Sequence, residues 1–327
     1  MKKVISLVIA IMMVLSLAAC GSSAPASTTP TGYTYKVAIV QQLAHSSLDE
    51  IRVAITAQLE ALAKEKGIGI YIQDYNGQND ASALNQIGTQ VVSDGVDIII
   101  PIATTAAQCM VTAADGTDIP IVYAAISDPE GAGLTGLSTV TGVSDALNTP
   151  FILDMMLAAQ PDIQSVGLLY SLSEANSATP IAQAKEYLAA KGINVVEKTG
   201  NTVDEVNTAA STMVGQVDAV FTPTDNAVMA AAGSVAEVFA EAGIAFYTGA
   251  DSFVLSGAFT TCGVNYTELG TKAADMAFDV LQGGAIGDFH VMEGGIITVN
   301  TETAAALGID YSVFSQMANT VNEVTTG

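Results

Sequence analysis

The chain of 327 residues has no tryptophan, two histidines, three cysteines and only ten lysines and arginines against 33 acids. With a formal net charge of −23 and no basic run, nothing in it can track a phosphate backbone, which excludes nucleic acid as a partner. Neither His45 nor His290 stands near a cysteine or an acid at ligand spacing, so there is no metal signature. Aromatic residues make up 6% of the chain. Ring-stacking seats for sugars are therefore few, although Tyr75, Tyr170 and Phe253 remain as platforms. No nucleophile elbow, dinucleotide fingerprint or phosphate loop follows any strand-like run, and Glu130 to Gly133 is Gly-rich without the spacing of a phosphate cradle. The chain reads as a non-enzyme without a cofactor.

What is present begins with a targeting segment. Lys2 and Lys3 precede an apolar run, Val4 to Leu17, that is too short to span a bilayer comfortably. Leu17, Ala18, Ala19, Cys20 then resembles a bacterial lipobox, which predicts a signal peptide over 1–19 and a lipid on Cys20. Ser22 to Gly32, rich in Ser, Thr, Ala and Pro, reads as part of a flexible tether over 20–33. Cys109 and Cys262 remain, and read as two buried free thiols rather than a pair.

The body of the chain repeats itself. Lys36 to Val40, a helical stretch ending at Gly67, and Ile68 to Ile72 are answered by Ser165 to Tyr170, a stretch ending at Gly192, and Ile193 to Val196. Gly95 to Pro101 is answered by Gln216 to Pro223, and Ile119 to Tyr123 by Ile244 to Tyr247. Short β-rich runs alternating with helical ones predict an α/β fold: two similar doubly wound parallel-sheet lobes, joined by a multi-crossing hinge around a cleft. Lobe one is expected over 34–144 plus 266–284, and lobe two over 145–265 plus 285–327. Capping boxes are expected at Ser47 with Glu50 and at Thr202 with Glu205, a C-terminal cap at Gly67, and one helix over Ala227 to Ala242.

Ligands of open parallel sheets sit beyond the carboxyl ends of the strands, so the strand exits are the candidate positions. In lobe one these carry Gln41, Gln42 and His45, then Thr104 and Thr105, then Ser127 and Asp128. In lobe two they carry Glu174, Asn176 and Ser177, then Thr224, Asp225 and Asn226, then Asp251. Thr104 and Thr105, and Asn176 and Ser177, open helices whose free N–H groups suit a carboxylate, although simple N-capping explains such residues equally well. Glu174, Asp225 and Asp251 suit an ammonium, with capping an equal alternative for Asp225. Together they describe a seat for a small zwitterion. His45 reads as a cleft contact or a solvent-facing residue.

Pro120, Ile121, Val122 with Ser127, Asp128, Pro129, Gly131 to Leu134 and Val140 to Ser144 resemble the extracytoplasmic substrate-binding proteins of one bacterial ABC-transporter family. So do Leu169 to Ser177 and Pro223 to Asn226, the most specific runs. The resemblance covers nearly all of the chain after the leader. It implies the type I periplasmic-binding-protein fold, with some members associated with aromatic amino acids. Carried over by motif, Glu174, Asn176, Ser177, Thr224, Asp225, Asn226 and Asp251 become lobe-two contacts, and Thr104, Thr105, Ser127 and Asp128 the lobe-one side. The family often has Pro where this chain has Thr105. The expectation is a lipid-anchored monomer at the outer face of the cell membrane that captures an amino acid and delivers it to an ABC permease. A sugar or nucleoside receptor of the same fold, and a sensor that presents its closed form to a membrane receptor, are the alternatives.

Overall fold

The computed structural model describes residues 34–327. The expected leader, Cys20 and the tether over 20–33 lie outside the described residues.

The first lobe is built from β1 (Tyr35–Gln41), α1 (Ser46–Lys66), β2 (Ile70–Asn76), α2 (Ala81–Ser93), β3 (Ile98–Ile102), α3 (Thr104–Ala113), β4 (Ile121–Ala124) and β5 (Val140–Ser144). The chain crosses through α4 (Thr149–Ala159) into β6 (Ser165–Tyr170), α5 (Ala178–Ala190), β7 (Asn194–Thr199), α6 (Val203–Met213) and β8 (Ala219–Thr222). The second lobe continues through α7 (Asn226–Met229), α8 (Ala232–Glu241), β9 (Ala245–Thr248), α9 (Asp251–Leu255) and β10 (Thr260–Gly263). After these come α10 (Tyr266–Leu281), β11 (His290–Val291), β12 (Ile296–Asn300), α11 (Thr301–Leu307) and β13 (Thr320–Val324).

One sheet has the order β2-β1-β3-β4-β5-β11 and the other β7-β6-β8-β9-β10-β12-β13. The first five strands of each follow the same doubly wound order, so the repeat read in the sequence is a repeat in space. Every pairing is parallel except β10 with β12. The apolar runs explain this arrangement. In β3, Ile98, Ile100 and Ile102 enter one core cluster and Ile99 another, as a strand covered by helices on both faces requires. β8 divides likewise, Val220 to one side, Ala219 and Phe221 to the other.

The chain passes between the sheets three times, after β5, after β10 and between β11 and β12. α10 returns to lie along α1, where Gly270 permits the approach: a β-carbon there would stand 2.6 Å from the Ile51 carbonyl oxygen. The return to the second lobe comes later than residue 285. His290 and Val291 pair with Val143 and Ser144, completing the ladder that the outer edge of β5 would otherwise leave open.

Three local expectations are corrected or refined. α1 begins at Ser46 with His45 at the cap position and no side-chain cap, because the Ser47 hydroxyl donates to Ser252 Oγ in the other lobe. Thr202 does cap α6 by accepting from Glu205 N at 3.3 Å, but the Glu205 carboxylate returns to Asn201 N, one residue early for a capping box. The expected single helix over Ala227 to Ala242 is two, α7 and α8, divided at Ala231. Gly67 closes α1 in the left-handed conformation, as expected. Cys109 and Cys262 are free thiols on α3 and β10 of different lobes, and burial pushes the Cys262 thiol up to about 11.

Candidate functional site

The loops leaving β1, β3 and β4 meet those leaving β6, β8 and β9 around a narrow cavity of about 30 Å³. From the first lobe, the start of α1 contributes His45, Ser47 and Leu48, the start of α3 contributes Ala103 and Thr104, and the β4 exit Ala125 and Ser127. From the second come Asn176, then Thr224, Asp225, Asn226 and Met229 after β8, then Ala250, Ser252 and Phe253 after β9. Asp145 and Tyr266, from the first two crossings, complete the wall.

Two wall residues have backbones that side chains rarely adopt: Ala103 with φ 76° and Ala125 with φ 58°. Each follows a central strand directly, and such strain persists where the surrounding fold holds it and the site uses it. At Ala103 the turn opens α3 with no side-chain cap, leaving the helix N-terminus at the cavity wall.

Two buried acids, Asp145 and Asp225, line the cavity, and His45 is the one basic side chain among the described residues that line it. Asp145 is 5% exposed and accepts from Ser127 Oγ at 3.0 Å and Tyr266 Oη at 3.3 Å. Burial lifts its pKa above the usual carboxylate range, against those hydrogen bonds. Asp225, wholly buried, accepts from Ser171 N at 2.7 Å, Ser177 Oγ at 2.6 Å and Val228 N at 3.0 Å. It is thus the cap of α7 as well as a cavity residue, and burial again raises its pKa. Among the described residues no lysine or arginine lines the cavity. The ion pairs Arg52–Asp74, Lys66–Glu65 and Lys185–Glu197 join residues that do not line it.

The lobes are closed on one another. Gln42 Nε2 donates to Glu174 Oε1 at 2.8 Å, and His45 Nε2 meets Asn226 Oδ1 at 3.1 Å. Ser127 Oγ meets Thr224 Oγ1 at 2.9 Å, and Thr179 Oγ1 donates to Asp128 Oδ2 at 2.6 Å.

Of the residues expected from the sequence, Thr104, Ser127, Asn176, Thr224, Asp225 and Asn226 are brought together at the cavity. Glu174 and Ser177 stand one hydrogen bond behind it, on Asn226 and Asp225, while Gln42 and Thr105 stand further back, Gln42 bonded to Glu174. Thr105 N donates to Gln42 Oε1, and Glu174 Oε2 accepts from Asn226 Nδ2 at 2.7 Å. Glu174, lifted to about 7 by burial and then by the Asp225 charge, joins the lobes rather than lining the cavity. Asp128 is a link between the lobes outside the cavity wall. Asp251 is elsewhere, in a separate depression with Glu50 and Thr261, because α9 presents Ser252 and Phe253 to the cavity instead. Tyr170 also points away, its hydroxyl donating to Glu197. Sequence reasoning missed Asp145 and Tyr266, read Ser47 only as a helix cap, and chose Asp251 over its neighbour Ser252. The signal for Asp145 and Tyr266 was their place just after β5 and β10, where the chain changes lobe.

The chain matches the model of the family described as ABC transporter substrate binding protein over residues 36–320. It is 33% identical to a protein named tyrosine-binding protein from Clostridioides difficile, over 94% of this chain and 92% of that one. The structure of an ABC domain in complex with L-Trp from Streptococcus pneumonia superposes with a TM-score of 0.81 at 29% identity, covering 88% of this chain and 99% of that one. The ligand-free, open structure of a substrate binding protein with adhesive properties from Clostridium difficile gives 0.67 at 31% identity, covering 90% and 100%. The closer superposition is on the ligand complex, in keeping with the hydrogen bonds between the lobes. The family is one of binding proteins, not enzymes, and its fold is the type I periplasmic-binding-protein fold that the resemblance implied. The chain belongs to the ABC transporter substrate binding protein family.

Proposed function

We propose that the chain captures a free amino acid with an aromatic side chain by closing its lobes over it. Asp145 carries the proposal: it is a buried carboxylate at the cavity wall with hydroxyl partners and no cation. A carboxylate so placed is costly unless a positive charge joins it, and an α-ammonium supplies one. Asn176 Oδ1, buried and without a partner, accepts a second ammonium hydrogen. The ligand carboxylate sits at the start of α3 beside Thr104, and the side chain lies against Leu48, Met229 and Phe253. The names of the relatives, one for tyrosine and one for a complex with L-Trp, support this ligand class.

Cys20, lipidated after removal of 1–19, holds the protein at the outer face of the membrane as a monomer, and the closed form hands its ligand to a permease. Affinity is expected near micromolar, about −8 kcal/mol. A thermal-shift panel of amino acids, sugars and nucleosides tests the reading, since a ligand stabilises the form it binds. A rise in melting temperature with aromatic amino acids is expected. A rise with a sugar or nucleoside and none with any amino acid overturns the proposal.

A further inference from the structure

A chain of hydrogen bonds fixes the protonation of His45 from a backbone anchor. Thr105 N–H donates to Gln42 Oε1 at 3.1 Å, so the Gln42 amide must point its NH₂ toward Glu174 and Asn79. In its ionised form, above about pH 7, the Glu174 carboxylate accepts that NH₂ on Oε1 and the Asn226 NH₂ on Oε2. With its NH₂ so committed, Asn226 turns Oδ1 to His45 Nε2, and an amide oxygen can only accept. Nε2 therefore carries the hydrogen, and in the neutral ring Nδ1 is left with a lone pair. Burial lowers the His45 pKa, which favours that neutral ring.

Nδ1 is buried at the cavity wall with no partner among the described residues. Neighbouring hydroxyls do not serve it: Ser47 donates to Ser252 Oγ, and Ser252 to Met229 Sδ. The ammonium seat belongs to a separate set of bonds, Asp145 to Ser127, Ser127 to Thr224, and Asn176 Nδ2 to the Thr224 carbonyl. His45 instead is bonded to Asn226 at the start of α7, the helix that carries Met229, and stands at the cap of α1, whose first turn carries the apolar Leu48; Met229 and Leu48 both line the cavity.

We infer that His45 Nδ1 accepts a hydrogen bond from a donor on the ligand's aromatic ring, a phenol hydroxyl or an indole N–H, so that the cleft prefers such rings to a bare phenyl group. The inference deepens the amino-acid reading and rests on it. A site built to pair a ligand donor rejects the analogue that lacks it, because the buried acceptor is then left unpaired.

Calorimetric titration of the intact chain with L-tyrosine, L-tryptophan and L-phenylalanine tests it. L-phenylalanine should bind at least about tenfold more weakly than the better of the other two, and His45→Phe should bring the ratio to within about threefold. Nitrogen NMR of the His45 imidazole in the unaltered chain gives a second readout that does not depend on the variant folding. It should show the Nε2–H tautomer, with an Nδ1 resonance that moves on adding the donor-bearing amino acid and not on adding L-phenylalanine. Equal affinities in the unaltered chain, an unchanged ratio in His45→Phe, or an Nδ1–H tautomer each overturn the inference while leaving amino-acid capture standing. No binding of any amino acid removes both.

Discussion

Tyr266 donates its hydroxyl to Asp145 Oδ2 at 3.3 Å, and the two residues stand where the chain leaves β5 and where it leaves β10 for the other lobe. The acid proposed to meet the ligand is therefore part of the crossing about which the lobes move. Ser127 bridges the same carboxylate to Thr224 on the opposite lobe. A positive charge arriving at Asp145 relieves a buried unpaired carboxylate in the closed form more than in an open, hydrated one. That differential is what a ligand needs to favour closure.

Asp145→Asn should separate stability from binding. A buried acid without a cation is costly to ionise, so the uncharged amide should raise the melting temperature of the ligand-free chain above the Asp145 pKa by about 2 to 4 °C. The same change costs amino-acid affinity about 2 to 5 kcal/mol. Melting curves and calorimetry on the one variant check both signs, and loss of both stability and binding would mark Asp145 as structural only.

The buried acids set a pH dependence. Glu174, raised to about 7, holds a proton in the folded chain that the unfolded chain, with a pKa of about 4.3, has already released. Its folded form thus binds more protons between those values, so stability is highest below the window and falls as pH rises through it. Asp145, Asp225 and Asp251 shift in the same direction. Ligand-free melting temperature should fall between about pH 5 and pH 8, and Glu174→Gln should flatten that fall. An unchanged slope in the variant would exclude Glu174 as its source.

Gln42→Leu should loosen closure. The Gln42 amide joins Thr105 N, Asn79 and Glu174, and its loss leaves the buried Glu174 Oε1 and the half-buried Thr105 N without that partner, at about 1 to 3 kcal/mol. Small-angle scattering of the ligand-free variant should show a larger radius of gyration than the unaltered chain. Equal radii would mean that the other links between the lobes suffice.

Gly249→Ala should damage the site through its backbone. A β-carbon at Gly249 would lie 2.6 Å from Thr224 N, forcing the β8 exit to move with the carbonyl that Asn176 bonds. A loss of about 1 to 3 kcal/mol in stability is expected, with weaker ligand binding alongside it. Denaturant titration measures the first, and an unaltered midpoint would show that the loop gives way freely.

Much of this was legible in the residues because buried parallel strands read as continuous apolar runs. Ile98 to Ile102 and Ala219 to Thr222 could hardly be anything else, and their repetition placed the cleft. The exits were legible for the same reason, which is why Thr104, Ser127, Asn176, Thr224, Asp225 and Asn226 meet at the cavity. The division between Asp251 and Ser252 was not. It depends on which side of a short helix faces inward, and no periodicity accumulates over the five residues of α9. Asp145 and Tyr266 escaped because they follow strands outside the repeated units, where only the path of the crossings brings them together.

Calorimetric titration comparing L-tyrosine with its analogue lacking the amino group tests the central claim most directly. If the ammonium is held by Asp145, removing it should weaken binding by about a hundredfold or more in the unaltered chain. Equal affinity for the two compounds would contradict the account.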